Sequence, residues 1–217
     1  MIINILGGGP EELIPDLYDL DEKEGIWVGV DRGVYRLLSR NIIPNIAFGD
    51  FDSVSLEEYQ IITSKISNVN KYKAEKDETD MELAINWALL QNPKKICLYG
   101  GTGGRYDHFM GNVQLLLKPI LQGSKICIEM IDRQNIINVH RPGSYTLEKI
   151  DGFPYISFLP IADKVLNLTL EGFKYPLKDC HIPLGSTLCI SNELNNTYGT
   201  FSFTKGILMM IRSRDLK

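Results

Sequence analysis

The stretch Ile96-Cys97-Leu98-Tyr99-Gly100-Gly101-Thr102-Gly103-Gly104-Arg105-Tyr106-Asp107-His108 carries the pattern on which the architecture turns. Four apolar residues read as a buried strand. They run into four glycines in five residues, which let the backbone take positive φ and approach a ligand closely. Phe109, Val113, Leu116 and Leu117 then share one helix face. The helix starts near Asp107, so its first amides point back at the glycine loop. A strand, a polar loop and a helix in that order are one unit of an α/β fold.

Working outward, Ile2 to Leu6, Ile26 to Val30, Ile46 to Phe48 and Ile126 to Ile131 repeat the apolar run. Met81, Ala84, Ile85, Ala88 and Leu89 repeat the helical face. This alternation predicts a mainly parallel sheet covered on both faces. After Arg133 the helical pattern stops. Tyr155 to Leu159, Val165 to Leu170, Thr187 to Ser191, Gly199 to Phe203 and Ile207 to Ile211 read as short strands. Turn residues such as Pro160, Gly172 and Lys205-Gly206 separate them. The expected fold class is therefore an α/β amino-terminal domain (residues 1–133) with a mainly parallel sheet. A small antiparallel β-sandwich domain (residues 134–217) follows it, and no low-complexity linker lies between them.

Composition bounds the function. The chain has 217 residues, 44% hydrophobic and 23% charged, which is globular rather than disordered. A net charge of −4 argues against bulk nucleic acid as partner. No apolar run approaches the roughly 18 residues of a membrane span, and the first residues carry no signal pattern. A cytoplasmic location is expected. Cys97, Cys127, Cys180 and Cys189 form no CxxC pair and read as reduced, buried thiols.

Polar chemistry gathers where the predicted strands end. Strand one runs into Gly7-Gly8-Gly9-Pro10, strand two into Asp31-Arg32-Gly33, and strand three into Gly49-Asp50-Phe51-Asp52-Ser53. In open α/β sheets ligands bind beyond those ends. Asp50 and Asp52 point to one side if locally extended, and two such carboxylates suit a divalent cation such as Mg2+. The competing reading is a turn in which they satisfy backbone donors. Asp77 and Asp80 supply two more acids at a helix start, where Thr79 and Glu82 read as a capping box. Lys73 and Lys76 are their nearest cations in sequence. Arg105 suits a phosphate, and Asp107 suits either an N-cap or the site. His108 is a candidate base, although a lone histidine in a first turn is more often structural. The loop is neither a Walker loop nor a Gly-x-Gly-x-x-Gly fingerprint.

In order along the chain, these segments resemble the bacterial-type thiamine pyrophosphokinase family. The matches are Gly49 to Ser53, Asp77-Glu78-Thr79-Asp80, Gly100 to His108 and Gly111-Asn112-Val113-Gln114-Leu115-Leu116. Leu170 to Leu177, Ile190-Ser191-Asn192-Glu193 and Lys205-Gly206-Ile207-Leu208 continue the series. The resemblance implies an α/β nucleotide domain, a carboxy-terminal β-sandwich and a homodimer with active sites between subunits. It implies transfer of the pyrophosphoryl group of ATP to the hydroxyl of thiamine, with release of AMP. Carried over by motif, Asp50, Asp52, Asp77 and Asp80 would form the Mg2+ centre. Thr79, Arg105 and Asp107 would bind or orient phosphates and metal. Gly8, Asp31, Gly101, Thr102, Gly103 and His108 are the further nucleotide contacts expected, and Ser191 and Asn192 would meet thiamine. Asp52 or Asp80 would accept the hydroxyl proton.

One segment departs: the family pattern Asp-Gly-Gly-Ala stands here as Asp31-Arg32-Gly33-Val34. Trp27 and Trp87 read as core, which leaves Tyr198 as the aromatic candidate for thiamine. The rival readings are a pyrophosphokinase for another heterocyclic alcohol such as a hydroxymethylpterin, a metal-dependent sugar-nucleotide transferase, and a non-catalytic thiamine-binding module.

Overall fold

Apolar runs flanked by turn residues become strands in both halves of the chain. The computed structural model describes residues 1–18, 25–52, 54–71 and 77–215. Ser53, Lys73 and Lys76 lie outside the described residues. The chain divides into two compact units, Met1–Arg133 and Gln134–Lys217.

The first unit contains β1 (Ile2–Leu6), β2 (Ile26–Val30), α1 (Arg32–Ser39), β3 (Ile46–Gly49), α2 (Leu56–Lys65) and β4 (Val69–Lys71). It continues with α3 (Asp80–Leu90), β5 (Lys95–Tyr99), α4 (Tyr106–Leu115), α5 (Lys118–Leu121) and β6 (Cys127–Ile131). The strands lie in the order β4-β3-β2-β1-β5-β6, and every pairing is parallel. After their first residue β1, β2 and β5 are buried throughout, as a sheet covered on both faces requires. Trp27 of β2 stacks on Tyr99 of β5 with ring centroids 5.9 Å apart, which bears out its reading as core.

The second unit contains β7 (Asn135–His140), β8 (Gly143–Glu148), β9 (Tyr155–Pro160), β10 (Lys164–Glu171), β11 (Leu177–Pro183), β12 (Tyr198–Phe203) and β13 (Leu208–Ser213). β13 runs antiparallel between β7 and β9. A separate antiparallel sheet has the order β11-β10-β12-β8. Ile156, Phe158, Leu208 and Met210 from the first group share one core with Leu147, Val165, Leu170, Phe201 and Phe203 from the second. Phe158 meets Phe201 across that core at 5.0 Å between centroids. The antiparallel sandwich read from the alternating runs is therefore present.

Two local expectations are corrected. Thr187 to Ser191 alternates like a strand but folds as turns: Ser186 Oγ accepts Leu188 N–H at 3.3 Å, and Ser191 has φ 55°. Of its apolar side chains only Cys189 is buried, and Phe158 N–H of β9 donates to Cys189 C=O at 2.9 Å. At α3, Thr79 Oγ1 accepts Glu82 N–H at 3.1 Å, but Glu82 pairs with Lys118 at 2.6 Å rather than completing a capping box. The reciprocal capping box forms instead at α2, between Ser55 and Glu58. β4, β7, β8 and β11 were not foreseen as strands, nor α1 and α2 as helices. Among the described residues no helix is long and apolar enough to cross a membrane.

Candidate active site

Strand order reverses at β1: β2, β3 and β4 lie on one side, β5 and β6 on the other. The carboxyl ends beside that reversal are where an open parallel sheet leaves a crevice. Two glycine loops meet there. Gly7 N–H donates to Tyr99 C=O and Gly9 N–H to Gly100 C=O, both at 2.9 Å. A Cβ on Gly9 would stand 2.5 Å from the Gly100 carbonyl oxygen, so this glycine serves the close approach of two backbones. Gly8 is different, because a Cβ there would meet Arg32 Cβ at an ordinary 3.7 Å. Asn112 of α4 donates through Nδ2 to Gly101 C=O at 2.9 Å and ties the loop to the helix. Gly103 holds φ 71° in that loop. The Thr102 hydroxyl is buried and has no hydrogen-bond partner among the described residues. A buried orphan hydroxyl costs about 1–3 kcal/mol, the kind of cost a bound ligand relieves.

The acids converge from β2, β3 and α3. Asp31 follows β2 with φ 49° and ψ −124°, a sparsely populated backbone conformation that costs about 1–3 kcal/mol. Its N–H donates to Phe48 C=O at 2.9 Å, which holds the strained residue in place. Gly49 makes room for it: a Cβ there would lie 2.3 Å from Asp31 Oδ1. Asp50 comes next, and its Oδ1 accepts Asp52 N–H at 3.0 Å in an Asx turn. Asp80 opens α3 behind the Thr79 cap.

Asp31, Asp50 and Asp80 each offer a carboxylate oxygen, and the three oxygens lie within 4.8 Å of one another. At 4.8 Å two unit charges repel by about 3 kcal/mol at an effective dielectric of 20. Hard oxygen ligands in this number fit a divalent cation such as Mg2+, which also keeps room for phosphate oxygens. Asp52 is exposed beside them, and the Asp50 charge raises its pKa above the usual carboxylate range; burial, a hydrogen bond to Asp50 and the Asp80 charge add to the effect. Asp77 is exposed in the bend before α3 and is not part of the close group. The close group thus joins Asp50 and Asp80 to Asp31, which the sequence reading had placed with the nucleotide.

Arg105 and Asp107 hold one another. Arg105 Nε donates to Asp107 Oδ1 at 3.1 Å and Nη2 to Oδ2 at 2.6 Å. His108 N–H adds a bond to Oδ1 at 2.9 Å. These bonds, the Arg105 pair first, pull the Asp107 carboxyl down to about 2. Arg105, not Asp107, occupies the N-cap position of α4, and the exposed pair flanks the glycine loop. His108 is exposed in the same first turn.

In the second unit Ser191 is exposed, and its N–H donates to Ser157 Oγ at 2.9 Å. Asn192 is buried. Its Oδ1 accepts Tyr175 N–H at 3.0 Å and Glu193 N–H at 2.9 Å, and its Nδ2 donates to Tyr175 C=O at 2.9 Å. Asn192 thereby fixes the segment on which Ser191 is displayed. Tyr198 is exposed and donates to Glu148 Oε1 at 3.2 Å. Sequence reasoning missed Arg36, which donates to Gly9 C=O and anchors the first glycine loop. Its i+4 spacing from Arg32 was the available signal.

Comparison with known proteins settles the family. Residues 17–128 match the model described as thiamin pyrophosphokinase, catalytic domain, and residues 144–208 match thiamin pyrophosphokinase, vitamin B1 binding domain. A thiamine pyrophosphokinase of Bacillus subtilis is 53% identical over 98% of this chain and 99% of its own length. The chain belongs to the thiamin pyrophosphokinase family. The thiamin pyrophosphokinase of Geobacillus thermodenitrificans superposes with a TM-score of 0.90 at 52% identity, covering 99% of this chain and 98% of that one. The enzyme from Candida albicans shares the fold at 20% identity, with a TM-score of 0.78 over 97% of this chain and 90% of its own. Within this thiamin pyrophosphokinase fold, the acidic group and both glycine loops lie at one end of the parallel sheet.

Proposed function

We propose that the protein is a Mg2+-dependent thiamine diphosphokinase that transfers the pyrophosphoryl group of ATP to the hydroxyl of thiamine, giving thiamine diphosphate and AMP. The observation that carries this reading is 53% identity to a thiamine pyrophosphokinase along nearly the whole chain. In this reading residues 1–133 bind the nucleotide and residues 134–217 bind thiamine. The working form is a homodimer with the active site between subunits, in the cytoplasm.

The chemistry asked of the residues is positioning and charge neutralisation more than covalent help. Asp31, Asp50 and Asp80 would hold Mg2+, with Asp52 and Asp77 at its margin. The ion would supply charge neutralisation on the phosphate oxygens. Gly8, Gly101, Thr102 and Gly103 would line the nucleotide, with the buried Thr102 hydroxyl as a hydrogen-bonding group awaiting a partner. Thr79 holds the start of α3 so that Asp80 faces the group. Arg105 uses two of its donors on Asp107 and keeps the others for phosphate, so Asp107 orients the guanidinium fork. His108 flanks the same loop. Asp52 is the exposed carboxylate next to the group, and we assign it the hydroxyl proton when the oxygen attacks the β-phosphorus and AMP departs. Ser191, displayed by Asn192, would contact thiamine, whose positive thiazolium suits an acidic cleft.

The test is a mass-spectrometric product assay with ATP, Mg2+ and a panel of alcohols that includes thiamine and a hydroxymethylpterin. AMP and thiamine diphosphate are expected, and only with thiamine. ADP with thiamine monophosphate would overturn the proposal. Sedimentation of the active species checks the dimer, and an active monomer refutes it.

A further inference from the structure

Arg32 has no part in the reading above. It is the first residue of α1 and follows Asp31 of the acidic group directly. Its Cβ lies 3.7 Å from the position a Cβ on Gly8 would take, so its stem starts over the first glycine loop. Its side chain is 51% exposed, and Glu58 Oε1 stands 3.6 Å from Nη2. That is beyond hydrogen-bond length. None of its N–H groups donates a hydrogen bond to a described residue.

Arg36 and Arg40 repeat at i+4 and i+8 along α1, and both are committed. Arg36 donates to Gly9 C=O, while Arg40 donates to Glu11 at 2.7 Å and to Arg36 C=O at 3.0 Å. Within this row Arg32 alone keeps its planar donor fork for a ligand. A guanidinium fork matches phosphate oxygens in pairs, and it repels a cation such as thiamine. Adenosine without phosphates offers it no charge to bind.

We propose that Arg32 is a specificity-determining contact of this protein for the polyphosphate chain of its nucleotide, released from Glu58 when the nucleotide arrives. The proposal rests on the pyrophosphokinase reading. Arg32→Gln should raise KM for ATP about tenfold, with kcat and KM for thiamine within about twofold of wild type. Arg32→Lys should recover part of the loss. Inorganic tripolyphosphate, used as a competitive inhibitor, should weaken in parallel, whereas adenosine should not. Glu58→Gln should act in the opposite sense and lower KM for ATP by about two- to threefold, because Gln still accepts Ser55 N–H but no longer holds Arg32 by charge.

An unchanged KM for ATP in Arg32→Gln together with an unchanged KM in Glu58→Gln overturns the proposal. So does a shift in the Mg2+ requirement alone, which would make Arg32 a counter-charge to the acidic group. A wild-type enzyme that makes no AMP from ATP and thiamine would overturn the underlying reading instead. A wild type that is active beside silent Arg32 and Glu58 variants removes only this inference.

Discussion

Asp31 and Gly49 illustrate how single residues fix the site. The carboxylate of Asp31 reaches the acidic group only because its backbone is held at φ 49° and because position 49 carries no Cβ. Gly49→Ala is expected to destabilise the fold by about 2 kcal/mol, lowering Tm by about 4–8 °C. Differential scanning calorimetry checks this. Asp80→Asn removes one charge from a repelling group. Turnover should fall about 10²–10³-fold, while Tm measured in chelator stays level or rises, because the lost charge had opposed folding. A large drop in Tm would mean that Asp80 serves the helix start instead. Asp50 was legible as an acid at a strand end, but the extended Asp50–Asp52 pair does not form: the segment is an Asx turn with Phe51 at φ 62°, and the close group takes Asp50 without Asp52. The partnership of Asp31 with Asp80 was not legible, because the two residues stand 49 positions apart and meet only through the sheet.

Among the elements, the two helix starts at α2 and α3 look alike in sequence and differ in consequence. Ser55 and Glu58 form a full capping box at a helix that carries none of the proposed metal-holding carboxylates. Thr79 caps the helix that delivers Asp80. Ser55→Ala should cost about 1 kcal/mol, or about 2–4 °C in Tm, and leave kcat unchanged. Thr79→Ala should cost a similar amount of stability and also reduce kcat; thermal melts paired with the AMP assay separate the two. The apolar face of α3 was readable from its i, i+3, i+4 repeat. The partner of Glu82 was not, since Lys118 belongs to α5 and a local capping box was the nearer option. The same limit explains Thr187 to Ser191. Its apolar run reads as a buried strand, yet Leu188 and Ile190 are exposed and only Cys189 is buried, while the segment meets β9 through backbone hydrogen bonds that a local pattern does not report.

For the molecule as a whole, the sandwich carries a pH dependence of its own. His140 packs edge-on against Tyr145 and Phe201, and burial lowers its pKa to about 4. The native state therefore holds the ring neutral where the unfolded chain, with a pKa near 6.5, would bind a proton. Its contribution is complete above about pH 6.5 and is lost as pH falls toward 4. The loss amounts to about 2 kcal/mol at pH 5. Guanidinium titrations at pH 7.5 and 5.0 should show it, and His140→Gln should flatten that part of the difference. The alternation of β1, β2, β3, β5 and β6 with α3 and α4, the change of pattern after Arg133 and the glycine loop after β5 follow from periodicity and turn chemistry, which are local. The acidic group of Asp31, Asp50 and Asp80, the contact of Gly9 with Gly100, and the burial of Asn192 behind Ser191 follow from strand order and register. The physical reason is range: propensity and alternation act over a few residues, whereas a cluster of like charges is held together by a fold whose burial energy outweighs their repulsion.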